Sequence, residues 1–288
     1  MTIRALLAAA LAALAGCTGP GPAEQPRERP TIVSLNPCSD AILADVADPA
    51  QILAISHYSR DPRSSSMDMH VARRFRAMGG TVEEILALKP DVVVAGTFMP
   101  SATRIALERF GIRVESFAIE HDVPESIERI RGLARLTGHP ERGEGLVQRI
   151  EQALARAAPP ADSPDVPAVV WQSGGIVPGP DALISDIMRR VGFSSHSAAR
   201  GLRQADYLPL EEMLADPPEV ILTAGDSSTG EDRILGHPAL ESLADTRRHV
   251  LDPKLIFCGG PTIIRAAERL REIRQALVTG RNLAEVAG

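Results

Sequence analysis

A repeated segment constrains the fold of this chain more than any other feature of its sequence. Residues 81–96, TVEEILALKPDVVVAG, recur in altered form as residues 209–224, PLEEMLADPPEVILTA. Each copy has a pair of acidic residues, an apolar stretch, a proline, and a final run of mostly β-branched residues. This pattern predicts a short helix that ends at the proline and leads into a strand buried on both faces of a parallel sheet.

Two related α/β units half a chain apart predict two similar lobes. The 288 residues suffice for two domains of ordinary size. We therefore expect an α/β fold of two lobes with parallel-rich sheets, residues 31–123 and residues 166–288. Residues 124–158 carry apolar positions at helical spacing and predict a helical linker, with a long backbone helix that joins the lobes. A ligand cleft is expected between the lobes.

The first 30 residues are predicted to be a targeting segment. Residues 1–16 combine Arg4 with a short alanine- and leucine-rich stretch, as in a secretory signal peptide. The sequence LAGC that ends at Cys17 resembles bacterial lipoprotein signals, which implies cleavage before Cys17 and a diacylglycerol on its thiol. The alternative is an alanine-rich peptide with a chance cysteine. Residues 17–30 are Gly/Pro-rich and predict a flexible tether.

The composition and the missing motifs narrow the function classes. A formal net charge of −6 disfavours nucleic acid as a partner. The sequence contains no GxxxxGK[ST], HExxH or GxSxG motif, so no enzyme activity and no cofactor are predicted. A two-lobed enzyme stays open as an alternative, and it would need a catalytic constellation in the cleft.

The predicted ligand site lies in the loops that follow the strands. Ligands of open α/β folds bind at the carboxyl ends of the strands, so these loops should face one another across the cleft. The candidate lining residues are Asn36, Cys38, His57, Tyr58, Arg60, Phe98, Trp171, Tyr207, Phe257 and Cys258.

Aromatic residues are concentrated in these loops. The chain has only nine Trp, Tyr and Phe residues, and five of them belong to the candidate lining. This bias predicts flat apolar faces for a large planar or bulky ligand. For any one ring, the alternative is that it caps the core beneath it.

Several motifs together resemble one family. SLNPCSD, SHYSRDP, EEILALKPDVVVAG and a late CGGP are similar to the periplasmic substrate-binding proteins of iron-siderophore and cobalamin ABC importers, over about residues 31–280. The resemblance implies a monomeric receptor that captures a metal chelate, either cobalamin or another corrinoid or a ferric siderophore, and delivers it to an ABC permease. It implies a periplasmic location, with a lipid anchor at Cys17 that could lie in the outer membrane. SHYSRDP is somewhat similar to the cobalamin-binding loop, with Tyr58 as the stacking residue.

The family resemblance gives the repeated acids a role. In that family a surface glutamate of each lobe docks on arginines of the permease, and the matching positions are Glu83 and Glu211. Glu84 has a local role instead, because Thr81 and Glu84 fit the capping-box pattern. The alternative for Glu83 and Glu211 is that they are first-turn acids favoured by the helix dipole.

The cysteines and histidines leave further alternatives open. Cys38 and Cys258 could form a disulfide that restrains lobe opening, remain separate buried thiols, or bind a metal as thiolates. A receptor for bare zinc or manganese would need several imidazoles and a carboxylate together. His57, His121 and His196 are the candidates, although no paired spacing links them.

Overall fold

The computed structural model describes residues 29–226 and 232–279. The predicted signal peptide, most of the predicted tether and the lipidation candidate Cys17 lie outside these residues. Within the described residues, no helix has the length and apolar character needed to cross a membrane.

Lobe one is built around a five-stranded sheet in the order β3-β2-β1-β4-β5, in which every paired neighbour is parallel. Helices on both faces connect the strands, as parallel pairing requires. The strands are β1 Ile32–Ser34, β2 Ile52–Ser56, β3 Ala77–Met78, β4 Val92–Gly96 and β5 Arg113–Phe117, and the helices are α1 Pro37–Val46, α2 Met69–Ala72, α3 Val82–Leu88 and α4 Ser101–Arg109.

Lobe two has a parallel four-stranded sheet in the order β11-β10-β6-β8 and a small antiparallel pair, β7-β9. Its strands are β6 Val166–Gln172, β7 Ile176–Val177, β8 Phe193–Ser195, β9 Asp206–Tyr207, β10 Val220–Ala224 and β11 Arg247–Val250. Its helices are α7 Leu183–Arg190, α8 His196–Ala199, α9 Leu210–Ala215 and α10 Thr262–Thr279.

The repeat forms the same unit in both lobes. The first copy becomes α3 and β4, and the second becomes α9 and β10. Strand β4 pairs with β1 and β5, and β10 pairs with β6 and β11, so both repeat strands lie inside their sheets. An interior strand covered on both faces needs apolar residues throughout, which explains the uninterrupted apolar runs. The predicted two-lobed α/β fold is confirmed.

Two packed helices connect the lobes, in the region where the apolar spacing of residues 124–158 predicts long helices. They are α5 Val123–Leu136 and α6 Pro140–Ala157. Gly138 separates them with a φ of 76°, a value that favours glycine. The helices approach so closely that a Cβ on Gly143 would overlap the Cβ of Ala134.

The largest apolar core runs through both lobes. Ile42 of α1, Ile130 of α5, Ile150 of α6, Ile187 of α7 and Leu270 of α10 are all buried in the same cluster. Two smaller clusters fill the opposite faces of the two sheets. The linker helices and α10 therefore form a shared layer against which both sheets pack. This layer sets the position of one sheet relative to the other, and so the position of their carboxyl ends.

Candidate functional site

The carboxyl ends of the lobe-one strands present the candidate site. Asn36 follows β1, and its Oδ1 accepts hydrogen bonds from the backbone N–H groups of Cys38 and Ser39, at 2.9 and 3.0 Å. This N-cap begins α1 at the cleft edge. The turn His57–Arg60 follows β2, and Phe98 lies just beyond β4.

A pocket of about 70 Å³ lies at this edge. Four of the predicted residues line it, and the remaining lining comes from the last residues of β4 and β5, the segments after them, and α5. The lining residues are Asn36, Cys38, Gly96, Thr97, Phe98, Phe117, Ala118, Ile119, Glu120, Arg129 and Phe257. The pocket is a small recess beneath exposed rings and is too small to enclose a macrocycle, so a large ligand would have to rest above it.

Cys38 and Cys258 are joined by a disulfide in the structure, with their Cα atoms 5.0 Å apart. The two residues are 220 positions apart in sequence. The bond connects the start of α1 in lobe one to the segment that precedes α10. Of the three states left open by the sequence, the structure contains the bridged one.

A buried ion pair forms one wall of the pocket. Glu120 Oε1 lies 2.9 Å from Arg129 Nε, and both side chains are nearly inaccessible to solvent. Burial raises the pKa of Glu120 and lowers the pKa of Arg129, while each charge partly offsets the shift of the other. The guanidinium also lies 5.2 Å from the centre of the Phe117 ring. Glu120 follows the carboxyl end of β5. Ligand sites of open α/β folds lie at such strand ends, so the same argument that selected the other loops also applies to Glu120.

Asp40 is a second buried carboxyl group beside the cleft. Its Oδ2 accepts hydrogen bonds from the Ser56 N–H at 2.9 Å and the Ser59 hydroxyl at 2.6 Å. Burial is the main cause that raises its pKa from 3.8 to about 7, and the hydrogen bonds oppose that shift. These bonds hold the turn that carries Tyr58 against α1. Sequence analysis missed Asp40, although it lies within the quoted motif SLNPCSD.

Four of the five predicted aromatic residues are exposed at the carboxyl edges of the sheets. Tyr58 is 53% exposed, Phe98 81%, Tyr207 63% and Phe257 64%. The His57 ring centre lies 4.0 Å from that of Tyr58. Arg60 ends the same turn and is exposed. Two of these exposed rings, Phe98 and Phe257, line the small pocket.

Trp171 is a correction to the predicted cleft lining. Its side chain is completely buried in the lobe-two core, and its Nε1–H donates a hydrogen bond to the Leu208 carbonyl at 3.0 Å. Trp171 lies within β6, between Val170 and Gln172, and its side chain packs on the face of the sheet opposite the shared helical layer. A buried indole requires such an acceptor, so the ring serves the core of lobe two.

The histidines do not converge on a metal site. His57 Nδ1 contacts the Met78 carbonyl at 3.3 Å, and His121 Nδ1 contacts the Asp181 carbonyl at 3.0 Å. His196 begins α8, and burial lowers its pKa. The described part of the chain contains no group of three His, Cys, Asp or Glu side chains able to hold a metal ion.

The repeated acids have different surroundings. Glu84 accepts the Thr81 N–H at 3.1 Å while the Thr81 hydroxyl accepts the Glu84 N–H at 3.3 Å, which is a complete capping box. Glu212 of the second copy pairs with Arg200 at 3.1 Å. Glu83 and Glu211 are exposed and form no hydrogen bond or ion pair with other described residues.

The family is decided by comparison with known proteins. A family model described as periplasmic binding protein matches residues 32–250 of the chain. The chain belongs to this family. The resemblance inferred from the sequence motifs is confirmed, and the family consists of binding proteins of transporters rather than enzymes.

Two curated relatives of this periplasmic binding protein are named cobalamin-binding protein. A cobalamin-binding protein of Halobacterium salinarum is 24% identical over 204 residues, which are 67% of this chain and 53% of the relative. The chain thus spans about half the length of that relative.

Solved structures share the fold. The periplasmic heme-binding protein RhuT of Roseiflexus sp. RS-1 has a TM-score of 0.67 at 22% identity, covering 85% of this chain and 97% of that one. The periplasmic vitamin B12 binding protein BtuF of Vibrio cholerae has a TM-score of 0.64 at 20% identity, covering 87% and 98%.

We expect Trp171→Phe to lower the free energy of unfolding by about 1–3 kcal/mol, because the buried Leu208 carbonyl loses its donor. Urea denaturation would measure this loss. Trp171 is the only tryptophan, so iodide should quench the fluorescence of the native protein far less than that of the unfolded chain. Equal quenching in both states would place the indole at the surface.

We also expect Asp40 to make stability depend on pH. Its pKa is higher in the folded protein than the ordinary value of 3.8, so its contribution is fully present below about pH 4 and is lost as the pH rises through about 7. In Asp40→Asn, the free energy of unfolding should fall less between pH 4 and 7 than in the wild type. Identical pH profiles from urea denaturation would contradict this assignment.

Proposed function

We propose that this periplasmic binding protein is the substrate receptor of an ABC importer and captures a large metal chelate, with cobalamin or another corrinoid as the first candidate. The observation that carries the proposal is the set of exposed rings at the carboxyl edges of both sheets, namely Tyr58, Phe98, Tyr207 and Phe257. Exposed aromatic rings are unfavourable in water, and contact with a bulky apolar ligand would remove that cost.

The ligand class is supported by three observations together. The names of the relatives refer to cobalamin and heme. The small pocket contains the amide of Asn36 and the Glu120–Arg129 pair, which supply hydrogen-bonding groups beside the rings for polar substituents of a macrocycle. Arg60 offers a further cation at the edge. A ferric siderophore remains the other chelate that fits these features.

Two alternatives have weaker support. A receptor for bare zinc or manganese would require a cluster of ligands, and the described residues form none. Heme has one specific observation in its favour: the phenol of Tyr58 is half exposed beside His57, and both tyrosine and histidine are known iron ligands of heme.

The proposal includes delivery and anchoring. Glu83 and Glu211 would bind arginines of the permease, and their exposure and lack of partners among the described residues support this role. Cys17 would carry a lipid that holds the receptor in the periplasm, at the outer membrane if sorting follows its neighbour Thr18. Monomeric action is proposed as well.

Calorimetric titration with cyanocobalamin, hemin and a ferric siderophore should identify one tight ligand. Tyr58→Ala and Phe257→Ala should each weaken its binding about tenfold or more, since each removes an apolar face. The matched control is Phe110→Ala, because Phe110 is similarly exposed but precedes β5 at the opposite edge of the sheet. Unchanged affinity in both test variants, or stoichiometric zinc or manganese without a chelate, would refute the proposed site.

Charge reversal at Glu83→Arg with Glu211→Arg should abolish uptake in cells that carry the partner permease, because both salt bridges to it would be replaced by repulsion. The affinity for the free ligand should stay within about twofold, since the two acids lie on α3 and α9 rather than among the exposed rings.

The control for this experiment is the double reversal of Glu151 and Glu241. Both acids are exposed, and the substitutions change the net charge equally. Normal uptake by the test variant, or equal loss in test and control, would show that Glu83 and Glu211 do not form the docking surface.

A further inference from the structure

Residues 257–260 belong to lobe two in sequence but are attached to lobe one and α5 in space. They lie between β11 and α10, yet Cys258 is bonded to Cys38 of α1. The Gly259 N–H donates to Glu120 Oε2 at 2.9 Å, and the Gly260 N–H donates to the Ser126 hydroxyl at 2.8 Å. Three consecutive residues therefore each make a separate link across the cleft edge.

The glycines of this segment allow the close approach. A Cβ on Gly259 would overlap Glu120 Oε2 and Ser126 Oγ. Gly260 has a φ of 60°, and a Cβ there would collide with Ile42 of α1. The sequence CGGP is thus required by the docking of this backbone against α1 and α5, in addition to any contact with ligand.

The acceptors of these links are themselves fixed. Ser126 is completely buried in α5, and the Glu120 carboxylate is held by Arg129. Arg129 also donates a hydrogen bond to the Ala118 carbonyl. Because Glu120 and Ser126 are buried and Cys258 is covalently bonded to Cys38, the backbone of residues 258–260 has little freedom relative to lobe one.

Phe257 precedes Cys258, which is bonded to lobe one, and its own ring is exposed. Phe257 is 64% exposed. In the lining of the small pocket it is the single residue from lobe two, and every other lining residue comes from lobe one or α5. Tyr207 differs, since it lies on the β7-β9 pair, whose hydrogen bonds remain within lobe two.

We propose that Phe257 is a positioned ligand-binding residue of lobe one, held beside Phe98 by the Cys38–Cys258 disulfide and by Glu120 and Ser126. The ligand-binding part of this inference rests on the proposed function, whereas the attachment of Phe257 to lobe one rests on the disulfide and the two hydrogen bonds. Phe98 and Phe257 form one preassembled aromatic surface that does not separate when the lobes move. Tyr207 supplies the face that moves with lobe two. A ring ordered before binding loses less conformational entropy when the ligand arrives, which increases affinity.

The binding experiment is a double-mutant cycle between the disulfide and the ring. Affinities for cyanocobalamin, hemin and a ferric siderophore are measured for the wild type, C38S/C258S, F257A and the triple variant, and the comparison uses the probe that the wild type binds most tightly. The disulfide variant should bind about tenfold more weakly than the wild type, whereas the same change in the F257A background should have an effect below about twofold. Ser126→Ala is a milder second variant that should show the same coupling if C38S/C258S folds poorly.

A general structural role of the disulfide predicts a different result. The affinity would then fall by the same factor with and without Phe257, and this outcome overturns the proposal. Phe110→Ala is the control ring for the cycle and should show no coupling to either tether.

Hydrogen exchange tests the links without any ligand. The Gly259 and Gly260 amides should exchange slowly in the wild type and at least about tenfold faster in C38S/C258S combined with Ser126→Ala. If the wild type binds none of the chelates, the proposed function fails, and slow exchange still places the segment on lobe one. Fast exchange of both amides in the wild type overturns the inference whatever the ligand.

Discussion

The apolar layer shared by the two lobes is the constraint on which the rest of the structure depends. Helices α5, α6 and α10 are buried against both sheets, and their core residues form one cluster. Opening the lobes by a large angle would expose this apolar surface to water at about 25 cal/mol per Å². Lobe movement is therefore limited to small angles, and ligand binding relies mainly on side chains that are already in place.

Polar groups are buried where this layer meets the cleft. Asp40, Glu120 and Arg129 are all removed from solvent, and burial opposes the charged form of each. Such groups seldom increase stability over a well-packed apolar core. Each instead fixes a loop: Asp40 holds the turn with Tyr58, and Glu120 holds the segment with Phe257. These buried groups therefore define the positions of the Tyr58 and Phe257 loops and do not add to stability.

The fold was largely predictable, whereas the site was predictable only in part. The repeated helix and strand, the two lobes and the capping box of Thr81 follow from local patterns that the structure reproduces. The carboxyl-end rule located four exposed rings and the cysteine segments. The same rule failed for Trp171, because a strand residue near the carboxyl end can point to either face. Glu120 follows β5 as well, but a single glutamate after a strand carries no local signal that separates a site residue from an ordinary surface acid.

The sequence by itself determined the two α/β lobes, because helix and strand periodicities are local and a repeat within the chain is directly visible. Only the tertiary structure decided that Cys38 bonds to Cys258 across 220 positions, that Trp171 is core, and that residues 257–260 dock on α1 and α5. These outcomes depend on which distant surfaces meet when the shared layer packs. Local periodicity carries no information about such contacts, since they arise from the joint burial of helices far apart in the chain.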